Sequence, residues 1–429
     1  MKSCKEKLIT STTVIANNTL VEKACAYTGA NAPRTISLVI LACLNESNVR
    51  NLKHPTEEYL LLQSYAVRHD TKIYNIRGKK CVDALKELTQ KLKSIDNSID
   101  NASKAVNHAL FQFITEYEKE KPLERPIKLL GSKWNPKMQS PIHKILEKVN
   151  CTSVVETCAG ALGIFCNMNT PEECVLNDID KNKIALYRCI QNDCAKLLVN
   201  FLQQDKNEDI YNAKKKKLTE SGQLSEFERA SLLLYLSCYD KSWCKFEYNK
   251  QAPLASLDNV CNYLRIAEKL QGVVFKTKDL LKLIPEYLEN ENTLIICDPP
   301  YEDTKSYQSN LSSKEHKKLA KMLNSHQGQY IYFCRITANG KNPEHDSKII
   351  KAKVEDNYAN QKENKTYYID VELSASNSNQ SQEDESSTEE KTPPRKIIER
   401  IITNFDFDGS TEFTLPTNTG KKGGDSNEK

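Results

Sequence analysis

Long hydrophobic runs are missing from this chain. The longest apolar stretch, Ile36 to Leu44, is too short to cross a bilayer. Met1 to Leu20 lacks the sustained apolar centre that a secretory leader needs. An excess of one charge is missing too. The 61 Lys and Arg against 57 Asp and Glu leave a net +4, so whole-chain charge argues neither for nor against a nucleic-acid partner. No Cys-x-x-Cys pair occurs among the 15 cysteines, and the 7 histidines do not cluster with them. That excludes a disulfide framework and a zinc site as expectations, and no metal is expected. Cysteines scattered in this way read as small core residues. Together these absences predict a cytoplasmic protein with no membrane partner, and its 429 residues leave room for about two or three domains.

What is present is concentrated in a few short patterns. Thr293-Leu294-Ile295-Ile296-Cys297 reads as an interior strand of a parallel sheet, followed directly by Asp298-Pro299-Pro300-Tyr301. The prolines lack an N–H, so they stop the ladder and stiffen the turn. Ligands of open α/β sheets bind outside the carboxyl ends of strands. An exocyclic amine offers two donor hydrogens. Asp298 and the carbonyl of Pro299 can accept them while Tyr301 stacks on the ring that bears the amine. Alone, the tetrapeptide also fits a proline-terminated core strand with an N-capping Asp.

A second pattern weighs against that plainer reading. Val154-Val155-Glu156-Thr157-Cys158-Ala159-Gly160-Ala161-Leu162-Gly163 reads as strand and tight turn, with Gly160 and Gly163 allowing close backbone approach. Cys174-Val175-Leu176 is a further short strand ending in Asn177-Asp178, and an acid there is placed to hold a ribose hydroxyl or to cap a helix. Lys181 to Asn192 has the apolar spacing of an amphipathic helix. Cys158 and Cys297 lie beside these motifs and read as packing rather than nucleophiles.

These motifs, in this order, resemble the Dam-like, D12 class of DNA adenine-N6 methyltransferases. The resemblance runs from Pro126 to Phe405. It opens at Ile127-Lys128-Leu129-Leu130-Gly131-Ser132-Lys133-Trp134 and closes at Arg400-Ile401-Ile402-Thr403-Asn404-Phe405. Leu129 stands where the family often has tryptophan, Ser132 replaces a glycine, and Cys158 replaces the commoner proline. The resemblance implies an α/β fold: a Rossmann-like class I S-adenosylmethionine-dependent methyltransferase core carrying an inserted, largely helical DNA-recognition segment. It implies S-adenosylmethionine as cofactor and double-stranded DNA as partner, and it admits a restriction endonuclease as a companion. It places Leu129, Lys133, Glu156, Ala159, Gly160, Gly163, Asp178, Asp279 and Asp298 around the cofactor. Asp298, Pro299, Pro300 and Tyr301 become the catalytic motif, acting on the N6 amino group of a flipped adenine.

The segment Tyr239 to Pro253 corresponds to a DNA-contacting hairpin in that family. Its Lys241, Trp243, Lys245, Tyr248, Asn249 and Lys250 suit phosphate contacts, base edges and stacking. The lysine run Lys214 to Lys217 reads either as a phosphate-binding patch or as a solvated loop. Two other readings stay open: an RNA or protein-amide N-methyltransferase, and a non-catalytic DNA-binding protein on the same fold.

The expected organisation is a helical N-terminal extension over 1–120, with helices at Thr56 to Val67, Val82 to Ile95 and Ala102 to Tyr117. Lys119 to Pro126 reads as a linker. The cofactor half follows at 126–195, target recognition at 196–272 and the catalytic half at 273–416. The polar loop Glu302 to Tyr307 is of the kind that closes over substrate, and Lys314 to Leu323 reads as a helix. Strands are expected at Gln329 to Cys334, Thr366 to Leu373 and Lys396 to Phe405. A Ser, Asn, Gln and Glu-rich insert at 374–391 and the tail 417–429 read as disordered.

Overall fold

A computed structural model describes residues 11–28, 31–32, 35–36, 39–40, 71–77, 79–95, 99–119, 121–129, 133–134, 136–241, 246–254, 257–300, 311–337, 365–372 and 396–405. The expected helix at Thr56 to Val67, the loop 302–307, the insert 374–391 and the tail 417–429 lie outside these residues. The chain divides into two compact units, Met1–Ser132 with Asp180–Gln271 and Lys133–Ile179 with Gly272–Lys429.

The first unit begins with β1 (Ser11–Asn17), α1 (Asn18–Thr28), β2 (Thr71–Arg77), α2 (Lys79–Ile95) and α3 (Ala102–Glu118). β1 and β2 form an antiparallel ribbon in the register Ser11 to Arg77, so the N-terminal extension is not wholly helical. The chain then supplies α4 (Pro136–Leu146), β3 (Ser153–Glu156) and β4 (Glu173–Asn177) to the second unit. It returns to the first for α5 (Lys181–Leu202), α6 (Glu208–Glu220), α7 (Glu226–Cys238) and α8 (Leu257–Lys269). It finishes in the second with β5 (Val274–Lys276), α9 (Leu280–Leu283), β6 (Thr293–Cys297), α10 (Ser313–Ser325), β7 (Gln329–Thr337), β8 (Lys365–Glu372) and β9 (Lys396–Thr403).

Helix starts are written in local chemistry. Asp180, Asn207 and Asp279 cap α5, α6 and α9 through side-chain oxygens, and Ser225 with Glu228 and Ser312 with Glu315 form capping boxes on α7 and α10. α5 is non-helical at Asp193 and then resumes, so the periodicity that fades at Asn192 marks a kink rather than an end. In the first unit, α5 packs on α7 and α8, and α3 touches both α1 and α8. The stretch read as a linker is strapped to α8. Asn262 accepts the Glu124 N–H at 2.8 Å and donates to its carbonyl at 2.9 Å, and the Tyr263 hydroxyl donates to the Pro126 carbonyl.

The second unit is built on a seven-stranded sheet in the order β5-β4-β3-β6-β7-β9-β8. β5, β4, β3, β6 and β7 run parallel, while β9 is antiparallel to both β7 and β8. Every residue of β3 and β6 is buried, as expected of parallel strands covered on both faces. Ile295, Cys297, Leu319, Leu323, Tyr330, Tyr332 and Ile402 form a core between the sheet and α10. The strand order reverses between β3 and β6, which is the switch point where a doubly wound sheet opens a crevice at its carboxyl edge. Among the described residues, no helix is long and apolar enough to cross a membrane.

Candidate active site

β3 and β6 run side by side with Glu156 opposite Ile296. The Thr157 N–H and hydroxyl both reach the Ile296 carbonyl, at 2.9 and 3.2 Å, so the two chains stay paired one residue past the strand end. They then separate. Asp298 leaves β6 at the same edge from which the Thr157–Gly163 turn leaves β3.

That turn is fixed from several sides. The Ala159 N–H donates to the Asn177 carbonyl at 2.7 Å. Gly160 sits at φ 49°, a conformation that favours glycine, and its N–H donates to Asp178 Oδ2 at 3.0 Å. A Cβ on Gly163 would lie 3.0 Å from the Lys133 backbone nitrogen, so glycine is what allows the turn to pass against Lys133. Trp134 Nε1 donates to the Ala161 carbonyl at 2.8 Å, and Gln139 Nε2 donates to the Lys133 carbonyl.

Lys133 is the centre of the arrangement. Its side chain is 3% exposed, and Nζ lies 2.8 and 2.7 Å from the two carboxylate oxygens of Asp298. The ammonium also lies 5.1 Å from the Phe333 ring centroid. Asp298 is 18% exposed, Pro299 is buried and Pro300 half-buried. Glu156 is buried with Oε2 unpartnered. Burial first, and then the nearby charges of Asp298 and Asp178, hold its carboxyl well above the usual range. Both effects favour the protonated form of Glu156 over the carboxylate. Burial likewise pushes the Cys158 thiol well up and the Cys297 thiol to about 12, which disfavours the thiolate at both positions.

Sequence reasoning passed over Asn177. Its Nδ2 donates to the Thr157 carbonyl at 2.8 Å and the Lys278 carbonyl at 2.9 Å, and its Oδ1 accepts the Lys278 N–H at 2.9 Å. One buried amide thus ties together the chains leaving β3, β4 and β5. Its place beside the acid of Leu176-Asn177-Asp178 was visible, but only the strand order β5-β4-β3 reveals what it bridges. Ile179 was also passed over. It follows Asp178 and leaves its apolar side chain 54% exposed.

The other expected site residues fall as follows. Asp279 caps α9, accepting the Leu281 N–H at 2.8 Å. Leu129 is half-buried in the first unit. Tyr301, Trp243 and Lys245 lie outside the described residues, as do Leu130 to Ser132. Lys241 and Lys250 are exposed, and Tyr248 and Asn249 half-buried. The run Lys214 to Lys217 is helical, not a loop, because it lies within α6.

A comparison with curated proteins finds no match. The family model of the D12 class N6 adenine-specific DNA methyltransferases matches residues 130–369. That span holds Lys133, Glu156, Asp178 and Asp298. It stops short of β9, which nonetheless completes the sheet between β7 and β8. With more than half of its 429 residues matched, the chain belongs to the D12 class N6 adenine-specific DNA methyltransferase family.

Proposed function

We propose that this chain is a site-specific DNA methyltransferase that uses S-adenosylmethionine to methylate the N6 amino group of an adenine flipped out of duplex DNA. The observation that carries this reading is the buried Lys133–Asp298 pair, set where the strand order reverses and followed by two prolines. The residues present fit the cofactor. Glu156 offers an unpartnered buried oxygen for its polar methionine end. Asp178, oriented by Gly160, suits the ribose hydroxyls, and exposed Ile179 offers an apolar surface to a flat ring. Lys133, Ala159, Gly160, Gly163 and Asp279 complete the proposed binding set, all within the second unit. When bound, the cofactor supplies an electrophilic methyl group on a sulfonium.

The chain's own part is to hold the amine. Asp298 and the Pro299 carbonyl accept its two hydrogens, which turns the nitrogen lone pair out of the ring plane. An ionised carboxylate has about four lone-pair sites, so Lys133 and an amine hydrogen can share Asp298. Lys133 keeps the carboxylate oriented, and the rigid prolines keep the carbonyl from reorganising as charge develops on nitrogen. Tyr301 stacks on the base. Asp298 need not be a strong base, because the amine becomes acidic once alkylated. In the proposed organisation, 196–272 is the target-recognition segment, with Lys241, Trp243, Lys245, Tyr248, Asn249 and Lys250 against DNA.

The test is transfer from labelled S-adenosylmethionine to adenine-containing duplex DNA, with Asp298→Ala alongside. Label at adenine N6 in a defined sequence, absent from the variant, supports the reading. Label found only on RNA or protein substrates overturns it, and so does unchanged turnover in folded Asp298→Ala.

A further inference from the structure

The chain after α7 folds back on itself. Asp240 and Tyr248 form an antiparallel bridge, the Lys241 N–H donates to the Glu247 carbonyl at 2.9 Å, and the Asn249 N–H donates to the Tyr239 carbonyl at 2.7 Å. The buried Asp240 carboxylate accepts the Glu247 N–H at 2.7 Å. The Tyr248 ring rests near Tyr211 of α6, with centroids 5.3 Å apart. On the returning arm Phe246 sits at φ 53°, a conformation that L side chains rarely adopt. Such a backbone persists only where its surroundings hold it.

Lysines supply that hold. Lys215 of α6 donates from Nζ to the Phe246 carbonyl at 3.0 Å. Lys206, just before α6, donates to the Lys250 carbonyl at 2.6 Å and also to the Ala252 carbonyl, with its ammonium 5.8 Å from the Tyr239 ring centroid. Both side chains belong to half-buried residues. The rest of the basic run is largely occupied as well. Lys214 lies 5.0 Å from the Tyr235 ring centroid, and burial disfavours its charge. Lys217 pairs with Glu228 at 3.0 Å. Lys216 is 74% exposed, with a long 3.9 Å approach to Glu220. A row of lysines spent on carbonyls, rings and a carboxylate is poorly placed to serve as a phosphate rail.

We propose that Lys206 and Lys215 are positioning residues for target recognition, holding the backbone at Phe246 and at Lys250 to Ala252 so that the hairpin meets base edges in a single register. This rests on the reading of 239–252 as a DNA contact. The ammonium groups act on the protein backbone, not on DNA phosphates. Losing one therefore blurs which sequence is read, without removing a charge that DNA feels directly.

The experiment uses the full chain and a duplex library with adenine in randomised flanks, with methylated positions mapped by sequencing. Lys215→Met and Lys206→Met break either arm of the clamp, Lys215→Arg restores a donor, and thermal unfolding checks that each variant is folded. The expected result is a roughly tenfold smaller preference of Lys215→Met for its best site over sites one base removed, the scale of a single lost base discrimination. Lys215→Arg recovers most of it. The slope of log affinity against log salt stays at the wild-type value. A slope smaller by about 0.9, with uniform weakening across sequences, marks a phosphate contact and overturns the proposal. A control of Lys241→Ala with Asn249→Ala separates the two layers. If it changes site choice while both Met variants keep wild-type preference, the hairpin reads DNA but the lysines do not position it. If neither set changes site choice or DNA affinity, the recognition reading itself fails.

Discussion

Removing the Lys133 ammonium should cost more while Asp298 keeps its carboxylate than when that carboxylate is already gone. Lys133→Met keeps an apolar chain near Phe333 but removes the cation that Lys133 sets against Asp298, in a setting that already contains Asp178 and Glu156. The Lys133 side chain is 3% exposed and the Asp298 side chain 18% exposed, so water can re-solvate the stranded carboxylate only in part. Breaking a buried pair from one side costs about 3–5 kcal/mol. The partial exposure of Asp298 argues for the lower end, about 3 kcal/mol. For a domain of this size that lowers Tm by roughly 6–12 °C. Asp298→Asn, which strands the lysine instead, should also destabilise. The double variant removes both charges and should recover about 1–3 kcal/mol relative to the sum of the singles, the range seen for residues in direct contact. Thermal unfolding of the four proteins measures the cycle. Additivity within about 0.5 kcal/mol would show that the two side chains do not act as a pair and would refute the geometry on which the proposed function rests.

Glu156→Gln should change how stability depends on pH. The folded-state carboxyl of Glu156 is raised above its unfolded value near 4.3, so its favourable contribution is complete below about pH 4.3 and declines as pH rises toward the raised value. The glutamine does not titrate. The Tm difference between variant and wild type should therefore grow from pH 4 to pH 8 in the variant's favour, and parallel curves would count against a neutral buried acid. Gly163→Ala places a methyl 3.0 Å from the Lys133 nitrogen and should weaken cofactor binding about tenfold, read by calorimetry, with unaltered affinity as the contrary result. Asn177→Ala leaves the carbonyls of Thr157 and Lys278 and the Lys278 N–H without their partner, and should cost roughly 2–4 kcal/mol in denaturant unfolding. Native Cys297, with its thiol near 12, should resist alkylation at pH 8 while the unfolded chain reacts, and rapid labelling in the native state would contradict that burial.

How much of this was readable beforehand depended on whether the signal was local. The strand of Thr293 to Cys297 was legible because a run buried on both faces needs no partner to declare itself, and the prolines after it mark its end. The capping boxes at Ser225 and Ser312 are equally local. The ribbon of β1 and β2 was not legible, because its two arms are brought together from Ser11–Asn17 and Thr71–Arg77 across a long intervening stretch. Lys133 was placed near the site by family pattern, but its bond to Asp298 spans most of the domain and cannot be read from spacing. Asn177 is the sharpest case. Nothing in Leu176-Asn177-Asp178 distinguishes a cap from a staple until β5 is known to lie beside β4. The lysine run shows the opposite error. Charge clustered in sequence suggests charge clustered in space, yet a helix turns consecutive residues about 100° apart, so the four side chains leave α6 in different directions and find different partners.

The setting of Glu156 bears on how this site would meet the cationic cofactor of the proposed function. With all its acids ionised, the cluster would hold three carboxylates against the single ammonium of Lys133, deep beside a buried sheet. Burial and the neighbouring acids favour the protonated form of Glu156, which eases that excess. The other two acids each have a fixed partner, Asp298 with Lys133 and Asp178 with the Gly160 N–H. On the proposed function, the positive sulfonium of the cofactor would offset the acidic balance of this cluster. Once its methyl is transferred, that cofactor would lose the positive charge on sulfur. On that proposal, charge would favour binding before transfer and release after it.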